Sequence, residues 1–272
     1  MVAAAAAGWG TWSLFLFPTG LPAQATMPII FLIMGITSLP IAARDAAPVW
    51  DREVWWLLAA NTVFDAANGV CFFSAYDHTT VAIAVLTHYA APIVIALAAP
   101  YVDGTTTRGT RPAALVALGG LVILLEPWRS PSAGALVGAT LGFASALFYA
   151  GNVFAVRRLA ARIGPGRAMA YHSLLAAAIT APLGIAWYGD ATGGGLALLA
   201  CGAIVIGTGA GILFVVGLGR IGSARAAVLT FAEPLVAVAV GALVWGQTLH
   251  PIAAVGGALV LAAGVYVARQ AR

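Results

Sequence analysis

The chain has 272 residues, 62% of them hydrophobic and only 8% charged. A soluble domain carries about 25% charged residues, so there is too little polar surface here to coat a water-soluble globule, and the membrane is the solvent for most of the chain. The net charge of +4 comes from 13 arginines and no lysine; they sit between apolar runs, a pattern that reads as membrane topology and excludes a nucleic-acid surface.

Apolar runs recur along the whole chain, most of them near the roughly 20 residues that a helix needs to cross a bilayer. They predict spans at 2–17, 26–43, 54–75, 79–101, 112–125, 134–156, 168–188, 195–217, 224–245 and 251–268. The connections are short and rich in Gly, Pro, Asp and Arg, as turns are. The first run, Val2–Phe17, has no basic segment before it and reads as a spanning helix, not a signal peptide, with a start upstream left open. It carries Trp9 and Trp12 at a depth suited to a central cavity.

The third span holds Asn61, Asp65 and Asn68, spaced i, i+4, i+7 on one helix face that Phe72 continues. A carboxylate at bilayer depth costs about 2.5–3.5 kcal/mol on insertion scales and reads as functional by default. Asp65 is therefore expected either on the substrate path, meeting an ammonium group or a proton, or as a buried residue bonded to a neighbouring helix. In the fourth span, His88 and Tyr89 precede Pro92 by four and three residues. A proline removes a helical hydrogen bond and frees carbonyls toward a cavity. In the ninth span Phe231 and Glu233 precede Pro234, so Pro92 and Pro234 are expected hinges. His88 is expected to pair with Glu233 or Asp65 and to carry a coupling proton, or else to hold a plain interhelical hydrogen bond. Glu126 ranks last among the carboxylates because it lies at an interface.

In the sixth span Tyr149 and Asn152 share a face and join the candidate pocket. His172, also ionisable, is placed nearer the cytoplasmic end of the seventh span. Gly202, Gly207, Gly209 and Gly211 crowd the eighth, where small residues let helices approach closely. Trp50, Trp55, Trp56, Trp128 and Trp187 read as interfacial anchors. Cys71 and Cys201 read as inert thiols inside apolar runs.

With the N-terminus inside, Arg44, Arg52, Arg108, Arg111, Arg157, Arg158, Arg162, Arg167, Arg220, Arg225, Arg269 and Arg272 fall on the cytoplasmic side and only Arg129 outside. Twelve against one is a strong positive-inside bias, with both termini cytoplasmic. A repeat lies underneath. Ala84-Val85-Leu86-Thr87 recurs as Ala227-Val228-Leu229-Thr230, and with a one-residue gap Tyr89, Ala90 and Pro92 match Phe231, Ala232 and Pro234. Ala117-Leu118-Gly119-Gly120 likewise pairs with Ala254-Val255-Gly256-Gly257. The expected architecture is thus an all-α polytopic membrane protein, with residues 1–131 and 132–272 as two five-helix repeats. Five is odd, so the second repeat is inverted, as in many secondary transporters with a central site.

Trp9-Gly10, the run LFYAGNVFAVRRL from Leu147 to Leu159, and AEPLVAVAVGALVWGQTL with AAVGGALVLAAGVYVAR between Ala232 and Arg269 resemble the drug/metabolite transporter superfamily, of the EamA ten-helix type. One departure is Gly246-Gln247 where the family commonly has Gly-Glu, so no role passes to Gln247. The resemblance implies alternating access between two five-helix bundles and efflux of amino acids, related metabolites or drugs from a bacterial inner membrane. The expected partners are a small-molecule substrate and membrane lipid, with a proton as coupling ion and a homodimer left open. No Gly-rich stretch leads into Lys-Ser/Thr, no zinc pair or nucleophile elbow occurs, and no cofactor is called for. Competing readings are a lipid or lipid-carrier flippase on the same scaffold and a structural membrane subunit; a flippase groove should gather arginines for phosphate.

Overall fold

The computed structural model describes residues 1–104, 109–129, 134–248 and 250–270. Arg108, Arg272 and the boundary between the proposed halves at 131/132 lie outside them. Fourteen α-helices follow in order: α1 (Val2–Trp9), α2 (Ser13–Leu16), α3 (Ala23–Ala42), α4 (Arg52–Tyr76), α5 (Val81–His88), α6 (Ala91–Val102), α7 (Thr110–Leu125), α8 (Ala135–Ile163), α9 (Pro165–Thr180), α10 (Gly193–Gly202), α11 (Gly211–Ile221), α12 (Ser223–Leu229), α13 (Ala232–Leu243) and α14 (Pro251–Gln270). With no water in the hydrocarbon to satisfy backbone groups, helices are what such apolar runs must form.

Several of these helices join end to end. Among the described residues, nine continuous helical segments are long and apolar enough to cross a membrane, from Ala23–Ala42 to Pro251–Gln270. They coincide with nine of the ten predicted spans. The first prediction needs correction: residues 2–17 are not one regular helix. At Trp9 the ladder tightens to i→i+3 bonds, Thr11 N to Gly8 O at 2.9 Å and Trp12 N to Trp9 O at 3.1 Å. The cause is close packing: a Cβ at Gly10 would stand 2.4 Å from the Glu233 carbonyl oxygen and 2.9 Å from the Ala237 nitrogen, so only glycine lets this turn rest on α13. The eighth span also departs from regularity. Its middle, Ala203–Ala210, is a π-helix whose Thr208 hydroxyl meets that of Thr37 on α3 at 2.6 Å.

The fourth and ninth spans break where the prolines dictate. Pro92 excludes the carbonyl of His88, and α5 ends at His88; Pro234 excludes that of Thr230, and α12 ends at Leu229. Helices pair across the chain: α4 with α8, α3 with α9, α7 with α14, and α6 with α12. The α7–α14 seam rests on glycines, since a Cβ at Gly120 would meet Gly256 O at 2.7 Å and one at Gly256 would meet Gly120 O at 2.5 Å.

Charges gather at one end of the bundle. There Arg162 of α8 bridges Asp51 and Glu53 at the start of α4, Arg157 meets Asp103 at 3.0 Å, and the Arg167 amide donates to Asp45 Oδ2 at 2.7 Å. Asp51 also caps α4 by accepting from Val54 N at 2.9 Å. That amide and the Arg162 guanidinium hold the Asp51 carboxyl below its ordinary range, against a smaller opposing cost of burial. Each of these bridges ties the chain before residue 131 to the chain after it. Among the described residues the other end has only the local Glu126–Arg129 pair.

Candidate functional site

Inside the bundle lies a cavity of about 290 Å³, walled by α1, α3, α4, α5, α8, α9, α11 and α13 and by the π-helical turn. Its position follows from the kinks: the proline breaks and the tightened first helix keep three spans from packing straight through the centre. Trp9, Asp65, Asn68, His88, Tyr149, Asn152 and Glu233, all named from the sequence, line it, as do Trp12 and Phe72.

Asn61, Tyr89 and Phe231 do not. Asn61 is fully buried a turn nearer the arginine-rich end, where α4 packs on α8 and α9, and both polar atoms of its amide lack a protein partner. The predicted stripe is real as a helix face, but only its outer part reaches the cavity. Tyr89 and Phe231, at matching places of the sequence repeat, stack on each other with ring centroids 5.5 Å apart behind the cavity wall. They belong to the core that includes Ala117, Leu121 and Val260. Tyr89 still bears on the site, because its hydroxyl donates to the Glu233 carboxylate.

Asp65 sits in a polar cluster at the deep end. The Asn152 side-chain amide donates to its Oδ1 at 2.8 Å, and His172 Nε2 lies 3.0 Å from its Oδ2. This corrects one expectation. The histidine partner of Asp65 is His172, not His88; His88 instead hydrogen-bonds through Nδ1 to Ser145 Oγ and lies among the rings of Phe72, Tyr89 and Tyr149. His172 reaches the site because α9 starts at Pro165 and packs on α4, which carries the second turn of α9 to the depth of Asp65.

The rest of the wall is soft and apolar. Trp9 packs on Phe214 at 5.0 Å. Met27, Met34 and Met169 line the cavity as well, and apart from Met1 they are all the methionines in the chain. Sequence reasoning passed over them; the signal was their scarcity combined with the adaptability of thioether side chains at binding surfaces. Among the described residues no arginine lines the cavity. Chemically, the site offers two carboxylates, two imidazoles and two primary amides within an aromatic and methionine wall. That suits an amphipathic small molecule, and its volume is near the lower bound of small-ligand pockets.

Comparison with known proteins agrees with this architecture. The model of the EamA-like transporter family matches residues 136–269. The pseudopaline exporter CntI of Pseudomonas aeruginosa, in two strains, is 30% identical over 167 residues, 59% of this chain; the match spans 58% of the exporter's own length. An uncharacterized transporter of Archaeoglobus fulgidus is 29% identical over 264 residues, 95% of this chain and 91% of that one. A solved crystal structure superposes with a TM-score of 0.84 over 98% of this chain and 96% of its own, at 22% identity, which establishes a shared fold. With the family model on its second half, a relative that follows it nearly end to end, and nine apolar helices among the described residues, the chain is a multi-pass membrane protein similar to the EamA-type transporters of the drug/metabolite transporter superfamily.

Proposed function

We propose that the chain is a secondary active transporter, not an enzyme, that exports small metabolites such as amino acids or related compounds across a bacterial inner membrane by alternating access. The observation that carries this is the central cavity, with its two carboxylates held between helices of both halves of the chain. Three further features support it. Spans at matching places of the proposed repeats pack on each other, the second on the seventh through α3 and α9, the fourth on the ninth through α6 and α12, and the fifth on the tenth through α7 and α14, which fits an inverted repeat. The proline breaks that begin α6 and α13 supply two points that absorb rocking. The arginine-rich end, assigned to the cytoplasm by the charge rule, carries the ion pairs that join the halves. A relative is named an exporter, which favours the outward direction. A flippase for phosphate-bearing lipids fits poorly, because no arginine among the described residues lines the cavity.

The test is release from liposomes that contain the purified full chain and are loaded with radiolabelled amino acids, nucleobases, polyamines and aromatic amines. One chemical class is expected to leave faster than from protein-free liposomes and to be slowed by the same compound unlabelled. Release indistinguishable from protein-free liposomes for every class would reject transport of small metabolites.

A further inference from the structure

Unmet hydrogen bonding is spread unevenly through the bundle. Among the described residues, the buried side-chain atoms without a hydrogen-bond partner in the protein belong to Ser38, Asn61, Asn68, Asp103, Arg157, Ser223 and Arg225. Asn68 faces the central cavity. The other six lie between that cavity and the arginine-rich end. Ser38 is one turn from the end of α3, Asn61 is in the third turn of α4, and Asp103 caps α6. Arg157 is in the last two turns of α8, and Ser223 and Arg225 open α12. Ser38, Asn61 and Ser223 are each 0% exposed.

The opposite half of the bundle differs. There the buried hydroxyls close on carbonyls of their own helices, Thr19 on Leu16 at 2.7 Å and Thr180 on Ala176 at 2.6 Å, and Glu126 is paired with Arg129. Ser38 lacks that outlet, because the carbonyl one turn before it, that of Met34, already accepts from the hydroxyls of Thr37 and Thr208. Asn61 leaves both an amide donor and a carbonyl acceptor unmet where α4 packs on α8 and α9. Buried polar groups without a partner are few in folded proteins and costly in an apolar interior. Six of them at one end of a bundle, drawn from both halves of the chain, are costly only while that end stays shut. Water reaches them once α3 and α4 part from α8 and α9, and α6 from α12. The ion pairs of Arg157 and Arg162 and the bond from the Arg167 amide to Asp45 hold the end closed against that gain.

We infer that the arginine-rich end is a hydration-driven gate. Ser38, Asn61, Ser223 and Arg225 line a passage that is latent while this end is closed and takes water and hydrogen-bonding solutes when the halves separate; the unmet amide of Asn61 biases the end toward opening. Asn61 is thus a residue of the passage and not of the central cavity. This rests on the reading of the chain as an alternating-access transporter, but wetting of the passage is measured without transport.

The test is modification of single cysteines by a charged, water-soluble methanethiosulfonate in the detergent-purified full chain, with Cys71 and Cys201 first replaced by Ala. Ser38→Cys, Asn61→Cys and Ser223→Cys are each shut from water in the closed arrangement. They are expected to react several-fold faster than Thr180→Cys, an equally buried position in the opposite half. In membrane vesicles they should react with reagent on the arginine-rich side and not with reagent on the other. Asn61→Leu removes both unmet atoms at once. It should raise the melting temperature, slow the modification of Ser38→Cys several-fold and slow release from liposomes, whereas loss of a merely structural amide would lower the melting temperature. Gel filtration certifies each variant, and Ser38→Cys, the mildest change, carries the test if Asn61→Cys fails to fold. Modification of Ser38→Cys and Ser223→Cys no faster than of Thr180→Cys overturns the inference, and so does an Asn61→Leu chain in which Ser38→Cys reacts as fast as before. Either result with liposome release intact leaves the transporter reading standing; modification as expected without release from liposomes supports the gate and rejects that reading.

Discussion

Asp65 accepts one bond from Asn152, and its other carboxylate oxygen lies 3.0 Å from His172 Nε2. Asn152→Ala removes a donor to a carboxylate, a loss of about 1.5–3 kcal/mol. Ligand binding measured by calorimetry should weaken about ten- to hundredfold. The methionines make a different prediction. Replacing Met34 or Met169 by Ile leaves volume in the wall but removes its adaptability, so the spread of affinities across a ligand panel should widen while the best ligand changes little. Part of this site was legible in the sequence and part was not. Asp65 stood out because a carboxylate in an apolar run is rare, and the spacing to Asn68 and Phe72 gave the face. His172 was missed because its distance along the chain from the end of its helix says nothing about the register between α9 and α4, which is set by packing 107 residues away in sequence. For the same reason the sequence paired His88 with carboxylates on the far wall when Ser145 of α8 stood closer.

At the scale of helices, the prolines and glycines did what their chemistry requires. Pro92 and Pro234 were readable as breaks because the missing N–H and the clash with the carbonyl four residues back are properties of the residue itself. Pro92→Ala or Pro234→Ala restores a donor and lets α5–α6 or α12–α13 run on. The melting temperature should rise while the rate of release from liposomes falls several-fold, since a straight helix resists bending between states. A Pro→Ala change that lowers both would show that the breaks serve packing alone. The α7–α14 seam is tested from the opposite direction. Gly256→Val places carbons against the Gly120 carbonyl, and overpacking of this kind costs about 1–3 kcal/mol; the melting temperature should drop. The tightened turn in residues 2–17 was not legible, because its cause is a backbone contact with α13 more than 220 residues later.

The whole molecule is held across its two halves by charge at one end only, among the residues described. Arg157 and Asp103 are the most sheltered of these pairs, with side-chain exposures of 24% and 0%. Arg157→Gln leaves a buried carboxylate unpaired, a loss of about 3–5 kcal/mol for a fully buried pair and less here because the guanidinium is partly solvated. The double variant with Asp103→Asn should recover part of that stability in thermal melts. Asp51 adds a pH dependence of known sign. Its carboxyl titrates below its ordinary range in the folded chain, so its contribution to stability is complete above about pH 4 and is lost on acidification through the lowered value. Asp51→Asn, which keeps a cap but no charge, should flatten that part of the melting profile. The unequal ends carry a kinetic corollary. Salt weakens attraction between charges and leaves apolar closure almost untouched. If the bridged end opens in one half-cycle and the unbridged end in the other, raised ionic strength accelerates one stroke alone, and a transporter that is balanced in dilute buffer becomes a rectifier in brine.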